Sequence, residues 1–177
     1  LMALIGMGSS PGITNLLAAR AAEGMEVREV HCMVGAWDSK PSFLGFGYSP
    51  DTLLDEFAKP SAVFRKGKLA MVPALDPAER RFERFPRPVG RIALDTTLHS
   101  EIATLPSFFP GVREVTFRQG LDLAFADRIS LLVRLGLAGE RPLPGCGAVP
   151  RAVLLECLSK VPKEPPGRRH EFLRVRV

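Results

Sequence analysis

Apolar positions along the chain switch repeatedly between a two-residue and a helical period. Leu1 to Ile5 reads as an apolar strand, and the loop Gly6-Met-Gly-Ser-Ser-Pro-Gly12 leads into a helix from about Ile13 to Glu23. That helix carries the apolar stripe Ile13, Leu16, Leu17 and Ala21, and Gly24 suits its C-terminal cap. Val27 to Val34 follows as a strand, with Val30, Cys32 and Val34 on one face and His31 on the other. Residues 35–47 form a loop that contains Trp37 and the run Phe43-Leu-Gly-Phe-Gly47. Ser49-Pro-Asp-Thr52 then opens a helix: Ser49 as cap, Pro50 in the first position, Asp51 complementing the dipole. Leu53, Leu54 and Phe57 supply its buried side, and Pro60 ends it.

Residues 62–72 read as a hairpin turning at Lys66-Gly67. The proline-rich stretch Pro73 to Pro88 predicts an irregular excursion with at most one short strand, anchored by Phe82 and Phe85. Arg91 to Leu98 is a strand, followed by a short helical turn before Pro106 and a strand from Val112 to Arg118 with Val115 and Phe117 inward. The strongest helical period spans Leu121 to Leu135 and stops at Gly136. Pro150 starts another helix, buried through Leu154, Leu155 and Leu158 and ending before Pro162. The last strand, Phe172 to Val177, puts Leu173, Val175 and Val177 on one face.

Six or seven strands and four helices result, and several strands follow one another without a crossover helix. That order predicts an α+β fold: a mixed, mainly antiparallel sheet covered by helices on one face. A doubly wound domain would alternate strand and helix throughout, which this chain does only at its start. Neither a repeat nor a linker divides two cores, so residues 1–177 read as one domain.

Composition narrows the classes. A chain of 177 residues with 46% hydrophobic and 24% charged residues has the make-up of a globular domain with a sizeable core. No apolar run approaches the ~18 residues of a membrane span, so no membrane partner is expected. Cys32, Cys146 and Cys157 cannot all pair and form no CxxC, which predicts reduced thiols and a cytoplasmic location. The net charge of +5 is modest, and its arginine clusters are broken by Glu79, Glu83 and Glu171. They do not interleave with aromatic residues, so they read as solvated surface and no nucleic-acid partner is expected. His31 has no neighbours at metal-ligand spacing, and no metal site is expected. The chain lacks the basic start of a signal peptide, begins inside one strand pattern and ends inside another, and so reads as an excised segment.

The opening loop is the stretch richest in chemistry, because helix-start N–H groups point into such loops. As a dinucleotide fingerprint it offers Gly6-x-Gly8, but Pro11 stands where the third glycine belongs and Asp38 is only a loose match to the distal acid. As a nucleophile elbow, Gly8-Ser-Ser10-Pro-Gly12 fails, since the residue after the serine must donate its N–H to the oxyanion and Pro11 has none.

A third reading joins this loop to the rest of the chain. Ser10-Pro-Gly-Ile-Thr-Asn-Leu-Leu17, Gly47-Tyr-Ser-Pro-Asp-Thr-Leu-Leu54, Val63-Phe-Arg-Lys-Gly-Lys68, Leu98-His-Ser-Glu101 and Gly111-Val-Arg-Glu-Val-Thr-Phe117 occur in this order. Together they resemble the substrate-side domain of the saccharopine dehydrogenase-like family. The resemblance implies an NAD(P)-dependent oxidoreductase acting on a C–N bond of an amino acid or polyamine-like substrate, and a homodimer formed partly through this domain. NAD or NADP would then serve the full-length parent, with none expected on this fragment alone. It further implies that residues 1–8 and 170–177 are junction strands to a Rossmann domain.

By the same resemblance Ser10, Pro11 and Gly12 lie near the nicotinamide, while Ser49, His99 and Ser100 face the substrate cleft. His99 is the candidate catalytic residue, since a histidine titrates near working pH and can serve an amine or imine. His99-Ser100-Glu101 also fits a plain helix start, and Ser49 a plain cap. Saccharopine reductases tend to carry an acid before the Pro-Gly and an arginine after the serine-rich turn; Ser10 and Asp51 stand here instead. Without an arginine fork for a carboxylate, the resemblance points to a smaller or more cationic substrate, as in lysine or carboxynorspermidine dehydrogenase relatives. A non-enzymatic dimeric binding or scaffold module is the alternative.

Overall fold

Strand β1 (Glu29–Asp38) is the spine of a seven-stranded sheet in the computed structural model, which describes residues 6–40, 49–120, 122–161 and 167–177. Its β-branched and sulfur side chains alternate across the sheet, and five successive residues from Cys32 towards Ala36 are buried or nearly so. One edge of β1 pairs in parallel with β6 (Glu114–Gln119), setting Val30 against Val115 and Cys32 against Phe117. The other edge pairs antiparallel with β7 (Arg169–Arg176). The free edge of β6 takes two partners: β2 (Ser61–Arg65) near its start and β5 (Arg91–Thr96) near its end. β3 (Lys68–Val72) extends β2, and β4 (Arg81–Arg84) extends β5. Of the pairings between these seven strands only β1–β6 is parallel, so the sheet is mixed and mainly antiparallel, an α+β fold.

The β2–β3 hairpin turns where expected. Lys66 and Gly67 both have positive φ, 52° and 75°, the twist that a two-residue hairpin loop needs. The segment 73–88 contributes only β4, as its prolines predict.

Three apolar clusters hold these layers together. The first lies between the sheet and two helices, α1 (Ile13–Ala21) and α3 (Glu101–Phe108), and contains Ala18, Val30, Cys32, Ile102, Leu105, Val115 and Phe117. The second joins α2 (Pro50–Ala58), α4 (Leu123–Arg134) and α5 (Pro150–Ser159) through Leu53, Leu54, Phe57, Phe125, Ile129 and Leu154. The third, with Met33, Phe85, Val89 and Leu94, occupies the other face of the sheet. Full burial of each large side chain contributes roughly 1.5–3 kcal/mol.

Two elements depart from expectation. The apolar stripe of α1 points outward, with Ile13 49% and Leu16 61% exposed, while Thr14, Ala18 and Ala22 face the core. Small residues let the helix approach closely, and Thr14 supplies a hydroxyl that a buried carboxylate requires. Size and hydrophobicity favour the leucine face when the partner is unseen. The turn expected before Pro106 is a full helix that runs through the proline to Phe108. Ile102 and Leu105, both 1% exposed, pack on the sheet and outweigh the lost N–H of Pro106. Smaller shifts occur in β1, which extends to Asp38, and in α4, where Leu135 is 66% exposed. The expected strand 1–5, the run 43–47 and Leu121 lie outside the described residues.

Candidate functional site

Glu101 begins α3, where a carboxylate complements the positive end of the helix dipole. Its side chain nevertheless turns inward and has no exposed surface. Oε1 accepts hydrogen bonds from Ser10 Oγ at 2.5 Å and from Thr14 Oγ1 at 2.6 Å. Oε2 stands 2.6 Å from His99 Nδ1. One carboxylate therefore ties together the opening loop, the first turn of α1 and the β5–α3 connection. Asn15 reinforces the junction by donating from Nδ2 to Thr104 Oγ1 at 2.9 Å.

Burial alone would push the Glu101 carboxyl up. The hydrogen bonds from His99, Ser10 and Thr14 outweigh it and hold the group down at about 2. Glu101 is consequently an anion at any physiological pH, and an anionic acceptor requires His99 to carry its proton on Nδ1. The ring is fixed a second way, stacked on Phe117 with centroids 3.7 Å apart and planes 16° from parallel. Nε2 has no hydrogen-bond partner among the described residues, and the side chain keeps 16% of its surface exposed. This is an oriented imidazole with one nitrogen free for a proton transfer.

The same geometry limits other chemistry. The Ser10 hydroxyl is spent on Glu101 rather than on His99, so serine and histidine do not form a nucleophile–base pair. Cys32 lies beneath the site, and burial followed by the Glu101 charge pushes its thiol up to about 12, which keeps it protonated and inert. Among the described residues no three His, Cys, Asp or Glu side chains gather as metal ligands. Thr96 and Thr97 are fully buried at the strand end that leads to His99, and their hydroxyls have no hydrogen-bond partner among the described residues.

The residues expected near the nicotinamide are those of the loop that clasps Glu101. Gly12 has φ 129°, and a Cβ there would stand 2.5 Å from the Gly8 carbonyl oxygen, so its bareness serves the loop's own closure. The helix-start N–H groups are used internally: Ile13 donates to Gly8, Thr14 to Ser9, and Gly12 to Asn15 Oδ1. Pro11 has no N–H to offer. The Gly12, Ile13 and Thr14 N–H groups are therefore not open to a dinucleotide's pyrophosphate.

Ser100 occupies the N-cap position of α3 and is exposed; its carbonyl, not its hydroxyl, receives the Ala103 and Thr104 N–H groups. Ser49 occupies the same position on α2, likewise without a side-chain capping bond. It starts the helix that packs with α4 and α5, and no hydrogen bond joins it to His99 among the described residues. The structure thus brings together Ser10 and His99 through Glu101. It adds Thr14, Glu101 and Phe117, which sequence reasoning did not single out as site residues. Thr14 and Glu101 lie 87 positions apart, and no local pattern marks such a pair. Asp51 accepts from Arg151 of α5 at 2.9 Å.

The architecture is that of a mixed-sheet α+β domain. No family model matches the chain. Among solved structures it is similar to apo histidine-tagged saccharopine dehydrogenase (L-Glu forming) from Saccharomyces cerevisiae, with a TM-score of 0.54 and 18% identity. The match covers 73% of this chain and 32% of that one, so the chain spans about a third of that enzyme. At this identity the likeness is a distant structural relationship and speaks for the fold alone. No helix among the described residues is long and apolar enough to cross a membrane.

Proposed function

We propose that this chain is the substrate-side and dimerisation domain of an NAD(P)-dependent oxidoreductase acting on a C–N bond of an amino acid or polyamine-like substrate. The observation that carries this reading is the His99 imidazole, held by Glu101 and Phe117 with Nε2 left open. In the proposal Nε2 gives or takes the proton at the substrate nitrogen, and Glu101 fixes the ring's orientation and tautomer. Ser49 and Ser100 face the substrate, and Ser10, Pro11 and Gly12 border the nicotinamide. Because the Gly12, Ile13 and Thr14 N–H groups are used within the opening loop, the dinucleotide phosphates are assigned to a Rossmann domain of the parent protein.

Two measurements test the proposal. Fluorescence titration with NADH and NADPH should show binding to the full-length parent and none to this chain; tight binding by this chain alone contradicts it. In the parent, His99→Gln should lower kcat about a hundredfold, the scale of a lost general acid or base. A parent that self-associates but turns over no amine substrate favours the scaffold alternative.

A further inference from the structure

Strand alternation places Thr116 and Arg118 on the face of β6 opposite Val115 and Phe117, away from His99. There a cleft of about 430 Å³ opens between the sheet and the segment before β4. Arg118, only 7% exposed, lines it. Its guanidinium donates from Nη1 to Thr116 Oγ1 at 2.7 Å and from Nε to the Glu79 carbonyl oxygen at 3.4 Å. The Glu79 carboxylate lies 3.9 Å from Nη2 and is committed to Arg65 through both its oxygens. Arg118 is therefore a buried cation whose hydrogen bonds go to neutral oxygens. Burial, followed by the nearby Arg81 charge, lowers its pKa.

Arg81 lines the same cleft, held by the carbonyls of Ala78 and Arg80 through Nη1. Glu83, on the same rim, is taken by Arg174 and Arg176. The apolar part of the wall is Met33 and Leu94, both buried, and Phe82, 58% exposed; His31, Arg65, Glu114 and Arg176 complete the lining. A guanidinium binds a carboxylate through two parallel hydrogen bonds, and a polar anchor within apolar walls is the usual make-up of a small-molecule pocket.

We propose that this cleft binds an organic carboxylate, its anionic head on Arg118 and Arg81 and a short apolar stem against Met33, Leu94 and Phe82. The site lies across the sheet from His99 and stands whether or not the oxidoreductase reading does.

Hexanoate is the probe, followed by NMR of the Arg118 Nε–H and the Met33 methyl in this chain. Saturable shifts of both are expected with hexanoate, and none with hexanol. Arg81→Gln, an exposed change that spares the buried network, should weaken binding about tenfold, the loss of one charge-assisted contact. Arg118→Met should abolish it if the variant folds, as checked by circular dichroism. Absence of saturable shifts, unchanged affinity in Arg81→Gln, or inorganic phosphate binding as tightly as hexanoate would each overturn the proposal.

Discussion

Replacing Glu101 by glutamine isolates the charge at the centre of the site while keeping its shape. The amide oxygen can still accept from Ser10 and Thr14, but the bond to His99 loses its anion. Lowering a buried carboxyl from its ordinary 4.5 to about 2 corresponds to about 3 kcal/mol of stability at neutral pH. Because the folded-state pKa is the depressed one, that contribution is complete above the ordinary value. It is lost as pH falls from about 4.5 through about 2. Glu101→Gln should therefore be less stable than the parent chain by roughly 2–3 kcal/mol at neutral pH, with the gap closing across that acidic window. Urea unfolding followed by circular dichroism at stepped pH measures both. Equal stability at neutral pH, or a gap that stays constant down to about pH 2, would refute the placement of the charge.

Further outcomes follow from other contacts. Thr14→Val should cost about 1–3 kcal/mol in the same unfolding assay, because it removes one of two hydroxyl donors to a buried carboxylate oxygen. Thr97→Val should be neutral or slightly stabilising, since its buried hydroxyl has no partner among the described residues; a loss above about 1 kcal/mol would mean it has one. Gly35→Ala should destabilise by about 1–3 kcal/mol, as the added Cβ would meet the Phe85 ring at 2.7 Å. In native protein, iodoacetamide followed by mass spectrometry should label exposed Cys146 and Cys157 and spare Cys32 until urea is added.

Local chemistry was enough for much of the fold. Alternation in Val30-His-Cys-Met-Val34 and in Val115-Thr-Phe117, the Lys66-Gly67 turn and the Pro50 helix start each depend on near neighbours, and each is present as expected. Because β2 and β3 form a hairpin, and strands follow one another without crossover helices, the chain itself determined a mixed, mainly antiparallel sheet. His99 stood out for the same reason: its residue type and its strand-exit position are local facts.

What the sequence could not determine was which groups meet across long separations. The choice between the two faces of α1 depended on the buried carboxylate of Glu101, since desolvating that charge demands donors and Thr14 is one of them. Glu101 read as a helix-start acid, and only the docking of α3 against the opening loop turned it into the acceptor for Ser10, Thr14 and His99. The same loop offered only a loose glycine fingerprint, and packing decided that Ile13 and Thr14 donate to its own carbonyls and Gly12 to the Asn15 side chain. Hydrophobic period and turn chemistry are short-range and survive in the sequence. Compensation of a buried charge is a three-dimensional sum, and tertiary packing alone decided it.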